Sequence, residues 1–116
     1  MTQIEQFLIW RRRAGMSQTA AAASLGVGRS VVRRIECGVV SPLEFIPADQ
    51  LPVLPSPGEE LWLLRRRHAL GLGEAAAMLD VSRTQLYLLE RDRARIVGRE
   101  IADIERAYRY SSELTL

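Results

Sequence analysis

The sequence contains no lysine, and all sixteen of its basic residues are arginine. It has one cysteine, Cys37, and one histidine, His68. A lone cysteine excludes an internal disulfide framework and a cysteine-based zinc site. There is no glycine-rich phosphate loop and no cluster of His, Asp and Cys. No catalytic residue, metal or cofactor is therefore expected, and enzymatic activity is not expected either. No apolar run reaches the roughly 18 residues that a membrane span needs. Glu5 and Arg11 bracket an apolar piece too short for a signal peptide. These absences predict a cytoplasmic protein that does not enter the membrane.

What is present is arginine, unevenly placed. The net charge is only +2. Residues 1–38 carry six arginines against Glu5 and Glu36, for +4. Residues 39–58 carry Glu44 and Asp49, for −2, and residues 59–95 carry seven arginines against six acids, for +1. The positive charge is thus concentrated in the first third. Arginine makes planar two-pronged bonds to phosphate and to the guanine edge, which lysine does not.

The stretch LGVGRSVVRRIE, Leu25 to Glu36, returns as LDVSRTQLYLLE, Leu79 to Glu90. Laying residues 7–36 over residues 61–90 without gaps leaves ten of thirty positions identical, among them Arg11/Arg65, Ala22/Ala76, Val27/Val81, Arg29/Arg83 and Glu36/Glu90. Ungapped similarity of that length predicts one structural unit used twice.

Each unit reads as three helices. The first spans about 4–14 and again 59–69, with Glu59 and Glu60 suited to a helix start and His68 to a helix end. The second spans about 18–25 and 73–79; Ser17 can cap the former, and Gly71 caps the latter poorly. The third spans about 29–37 and 83–91, where Ser82-x-x-Gln85 is a capping box and Gly28 a weaker cap. Small Ala22 lets the third helix cross closely, and Gly26 suits a left-handed turn. Asp80 stands at that turn in the second copy and tolerates it better than most residues. Leu25, Val27, Val32 and Ile35 then face inward, as do Ala76, Leu79, Val81, Leu86 and Leu89. This is the apolar framework of a helix-turn-helix. Trp10 and Trp62, on the first helices, read as core.

The segment RRRAGMSQTAAAASLGVGRSVVRRIECG resembles the Cro/C1-type helix-turn-helix of the XRE family. Arg11, Gly15 to Gln18, Ala22, Leu25 to Val27, Val32, Ile35, Glu36 and Gly38 carry the match. LRRRHALGLGEAAAMLDVSRTQLYLLE resembles it less closely, through Arg65, Leu70, Ala76, Leu79, Val81, Leu86, Leu89 and Glu90. The resemblance implies a third helix in the major groove and a phosphate gripped at the start of the second. By position, Gln18 matches the phosphate-gripping residue. Arg29, Ser30, Arg33 and Arg34 match the base-facing and flanking positions; Arg83, Thr84, Gln85 and Tyr87 correspond in the second copy. There Leu72 replaces Gln18 and Leu88 replaces Arg34. The resemblance also implies structural ion pairs, Arg11 with Glu36 and Arg65 with Glu90. Arg12, Arg13, Arg66 and Arg67 read as solvated or as nonspecific phosphate contacts.

All five prolines lie in residues 39–58, VVSPLEFIPADQLPVLPSPG, among many apolar side chains. That mixture predicts a packed linker lying along one or both units. Fully extended it would reach at most about 65 Å, more than the roughly 34 Å between half-sites on one face of DNA. A last helix is expected over about 99–113, with Ile101, Ile104 and Tyr108 on one face and Val97 before them. That face either closes the second unit's core or meets another copy of the chain in a homodimer.

The expected architecture is all-α: a helix-turn-helix unit over 1–38, the linker over 39–58, and a second unit with its C-terminal helix over 59–116. The expected function is sequence-specific binding of a double-stranded DNA operator by a tandem-unit transcriptional regulator, a repressor by default. The resemblance points towards a phage, plasmid or other mobile element. The alternative is a protein-interaction module, an antitoxin or antiactivator, whose second unit takes a protein partner through Leu72, Tyr87 and Leu88.

Overall fold

The computed structural model describes residues 1–95 and 101–114, with side chains described through Arg109. Among the described residues every regular element is helical: seven α-helices and two short 3-10 turns. The chain divides into two compact units, Met1–Leu54 and Pro55–Leu116.

In unit 1, α1 (Gln3–Arg13) opens with a capping box. The Thr2 hydroxyl accepts the Glu5 N–H at 3.1 Å, and the Glu5 carboxylate accepts the Thr2 N–H at 2.9 Å. Ser17 caps α2 (Gln18–Leu25) by accepting the Ala20 N–H. The turn into α3 (Arg29–Glu36) passes through Gly26 at φ 69°, as the sequence predicts. Phe7, Ala21, Ala22, Val32 and Ile35 meet in one core, with Trp10, Leu25 and Val27 partly buried around it. Trp10 stacks on Phe7 at 5.7 Å between ring centroids.

The first part of the proline-rich segment completes this core instead of standing between units. Two 3-10 turns, Pro42–Glu44 and Ala48–Gln50, fold it back. Pro at the first position and Ser41 as cap start the former. Ile46 and Leu51 are buried beside Phe7 and Val32, with Val40 and Phe45 partly buried against them. Burying two such side chains contributes about 3–6 kcal/mol before ordering costs. Ser41 bonds to the Gln3 side chain, and Arg13 donates to the Leu54 carbonyl at 3.0 Å. The division falls after Leu54, and the segment up to that residue is packed on unit 1.

Unit 2 repeats the motif with different fittings. Its first helix, α4 (Pro57–Arg67), starts two residues earlier than the periodicity predicts. Ser56 and Glu59 form a capping box, and Pro57 occupies the first turn, where its missing N–H costs nothing. Then come α5 (Leu72–Met78), whose cap Gly71 makes no side-chain bond, and α6 (Arg83–Glu90), with the expected Ser82/Gln85 box. Leu61, Leu64, Ala75, Ala76, Leu79, Leu86 and Leu89 form the core.

The last helix, α7 (Ile101–Leu114), packs on α4 and α5. Ile104 and Tyr108 are buried in the unit 2 core, whereas Ile101 is exposed. The face closes the core of unit 2. Val97 and Arg99, the expected start of this helix, lie outside the described residues. No helix among the described residues is long and apolar enough to cross a membrane.

The left-handed positions set the two units apart. In unit 1 they are Gly15, Gly26 and Gly38; fifty-four residues on they are Ala69, Asp80 and Asp92. The chain path is kept, and glycine is not used for it the second time. An ordinary side chain at a left-handed position costs about 1–2 kcal/mol and aspartate less, so the added strain in unit 2 falls mainly on Ala69.

Candidate nucleic-acid interface

Helix α3 has two faces of different chemistry. Val32 and Ile35 are completely buried, while Arg29, Ser30, Arg33 and Arg34 are exposed. At about 100° per residue the four polar side chains share an arc of about 140°, opposite the apolar pair. The fold thus brings the four unit 1 helix-three residues together on one surface. Among the described residues, no carboxylate forms an ion pair with Arg29, Arg33 or Arg34. The one acid of α3, Glu36, is turned the other way and taken up by Arg11.

That pairing holds the three helices of unit 1 together. Arg11 Nη2 lies 3.0 Å from Glu36 Oε1 and Arg11 Nη1 donates to the Met16 carbonyl. Gln18 Nε2 donates to the other carboxylate oxygen, Oε2, at 3.1 Å. Gln18 is thus seated at the start of α2 by a bond to the end of α3. A side-chain amide has two N–H donors, so this bond leaves one for a further acceptor.

The unit 2 equivalent is tighter and lacks the glutamine. Arg65 donates from Nε and Nη2 to both oxygens of Glu90, at 2.7 and 2.9 Å, and from Nη1 to the Leu70 carbonyl. The Glu90 bond holds the Arg65 guanidinium even more firmly in its charged form than usual. The Glu90 side chain is 4% exposed, against 10% for Glu36. Leu72, at the Gln18 position, is half-buried and offers no polar group.

On α6, Arg83, Thr84 and Gln85 are exposed, as expected of a reading face, but two of them are partly committed. Gln85 Oε1 accepts the Ser82 N–H at 2.9 Å. A two-pronged bond to adenine needs both the oxygen and the NH2, so Gln85 could make it only with the one lone pair that its cap leaves, in the orientation the cap fixes. The Arg83 guanidinium lies against the main chain of Gly73. A Cβ placed there would meet its Nη2 at 2.6 Å and Nε at 2.7 Å. Tyr87 is 44% exposed, with the Arg91 guanidinium 4.8 Å over its ring. Leu88 is half-buried, so it is not a fully outward replacement for Arg34.

The sequence reading passed over one basic group. Arg91, Arg93 and Arg95 are all exposed in the turn after α6, where unit 1 has Cys37, Val39 and Ser41. Asp92 between them is taken up at the start of α4, by Gly58 N–H at 2.8 Å and by the Ser56 hydroxyl. The signal was there in the alternation RDRAR. Around helix three, unit 1 therefore has Arg29, Arg33 and Arg34 on the helix itself, and unit 2 has Arg83 on it and three arginines just beyond it. Among the described residues, no group of three or more His, Cys, Asp and Glu is placed to hold a metal.

The chain matches no family model, no curated protein and no solved structure. The likeness to the XRE helix-turn-helix rests on the residues quoted above.

Proposed function

We propose that this protein is a cytoplasmic, sequence-specific regulator that binds double-stranded DNA, without enzymatic activity or cofactor, and represses transcription by occupying its operator. One observation carries this reading: the unneutralised Arg29, Arg33 and Arg34, with Ser30, on the outward face of a short helix whose other face is anchored by Val32 and Ile35. Arginines so presented, Arg29 at the first position of the helix and Arg33 and Arg34 in its last turn, can meet guanine O6 and N7, each good pair being worth about 1–3 kcal/mol of discrimination. Gln18 supplies the phosphate contact from the start of α2. Unit 2 reads less, through Thr84 and the half-committed Gln85, so the two units want unlike half-sites. Charge favours unit 1 as the principal reader.

The test is selection from random duplexes with the full chain. One strong, guanine-containing half-site is expected, with a weaker second element. Arg29→Ala and Arg33→Ala should each relax preference at one position. Failure to enrich any sequence, with affinity for duplex DNA indifferent to salt, would refute the reading. A second reading, in which unit 2 takes a protein partner as an antitoxin or antiactivator does, is favoured by exposed Tyr87 and by the commitments of Gln85 and Arg83. It predicts a recovered site that is unchanged by Thr84→Ala and Gln85→Ala.

A further inference from the structure

The lean of Arg83 onto Gly73 assigns this arginine a task different from that of its counterpart Arg29. We propose that Arg83 grips a DNA phosphate and reads no base. This rests on the DNA-binding reading of the chain. Arg83 is the first residue of α6, and its guanidinium is laid back over the second residue of α5. It therefore stands at the beginning of the unit's second helix. That is the place from which Gln18 acts in unit 1, and where unit 2 has only the apolar Leu72.

Gly73 makes this posture possible. All three of the closest atoms to a Cβ built there belong to the Arg83 guanidinium, between 2.6 and 3.0 Å. No backbone atom is among those three, and Gly73 is not one of the glycines at positive φ. The corresponding residue of unit 1 is Thr19, which shows that the same place in the motif accepts a branched side chain. Arg83 is exposed while its guanidinium rests against α5, away from its own helix. It can meet an anionic oxygen there as a charge, for which geometry matters less than at a guanine edge.

The test uses the full chain with the duplex recovered by selection and with a scrambled duplex, titrated at several salt concentrations. Arg83→Ala is expected to weaken binding to both by the same factor, about 8-fold at 0.1 M salt, and to reduce the log–log salt slope by about 0.9, the loss of one phosphate contact. The recovered base preferences should not change. Arg83→Lys should restore affinity and slope, because an ammonium serves a phosphate as a point charge. Gly73→Ala should leave the melting temperature unlowered and reproduce the Arg83→Ala loss. Relaxed preference at one base position in Arg83→Ala would overturn the proposal while leaving DNA binding intact. An Arg83→Ala variant that binds both duplexes as the parent does would also overturn it. If the parent chain binds neither duplex, the functional reading falls first and takes this inference with it.

Discussion

Gly58 and Asp92 meet where Ile4 and Gly38 meet in the other unit, with the bulk exchanged. Asp92 Oδ1 accepts the Gly58 N–H at 2.8 Å, while a Cβ on Gly58 would strike the Leu89 carbonyl oxygen at 2.6 Å and the Asp92 carboxyl at 2.9 Å. In unit 1 the large residue is on the helix: a Cβ on Gly38 would come within 3.1 Å of Ile4 Cδ1. In unit 2 the helix start and the turn approach too closely for a second side chain, whereas in unit 1 the end of Ile4 could give way and it is φ 80° that favours glycine at Gly38.

Gly58→Ala therefore has no cheap relief, since the obstructing atoms include two backbone carbonyls. We expect a loss of about 1–3 kcal/mol from overpacking, despite alanine's better helix propensity. Urea unfolding of a Trp10→Phe background, in which Trp62 alone reports on unit 2, measures it. A variant as stable as the parent would show that the approach is looser than described.

The left-handed turns predict an opposite pair of effects. Gly15 at φ 65° has open space around its missing Cβ, and Ala69, its counterpart, sits at φ 53°. Gly15→Ala should destabilise unit 1 by about 1 kcal/mol and Ala69→Gly should stabilise unit 2 by up to about the same amount, less the entropy glycine adds to the unfolded chain. Thermal melts of the two variants should move in opposite directions. Shifts of the same sign would contradict the strain assigned to Ala69.

The two ion pairs should differ in what their loss costs. Removing one member of a buried pair leaves the other charge without compensation, which costs about 3–5 kcal/mol. Glu90→Ala strands Arg65 in this way and should fall in that range. Glu36→Ala should cost less, because Arg11 is 24% exposed and its pair is bonded through one nitrogen. It should also free Gln18 and so weaken DNA binding more than its effect on stability explains. Denaturant titrations and DNA titrations of both variants decide the order.

Tyr108 gives unit 2 an alkaline limit. Burial, then the nearby Glu90 carboxylate, push its phenol from 10.0 up to about 12. The unfolded phenol releases its proton near pH 10 while the folded one keeps it, so the unfolded state binds fewer protons in that interval. Stability is then intact below pH 10 and falls as pH rises towards 12, at up to about 1.4 kcal/mol per pH unit. Tyr108→Phe should flatten this part of the profile of urea midpoint against pH. An unchanged decline would place its cause elsewhere.

Much of the motif was legible along the chain. The apolar spacing of Val32 and Ile35, and of Leu86 and Leu89, predicts which sides of α3 and α6 are hidden. The Ser17 and Ser82 caps and the left-handed Gly26 follow from neighbours within four residues. The same local rule applies to Thr2-x-x-Glu5 and Ser56-x-x-Glu59, which extend α1 and α4 beyond the ends that apolar periodicity predicts. Ala69 and Asp92 were not legible, because nothing in an alanine or an aspartate announces a positive φ. The folding-back of Ile46 and Leu51 was visible only as apolar content, without its destination.

Sequence by itself determined the all-helical repeat, its inward faces and the arginines available for an outward one, because periodicity and capping act within one or two helical turns. Only the tertiary structure decided what those side chains are free to do. Gln18 is held by Glu36, Gln85 by its own cap, Arg83 by the bare backbone of Gly73, and Asp92 by the start of α4. Apart from the Gln85 cap, each of those partners is ten or more residues away, and the side chains find them only after packing has brought the helices within a few ångströms.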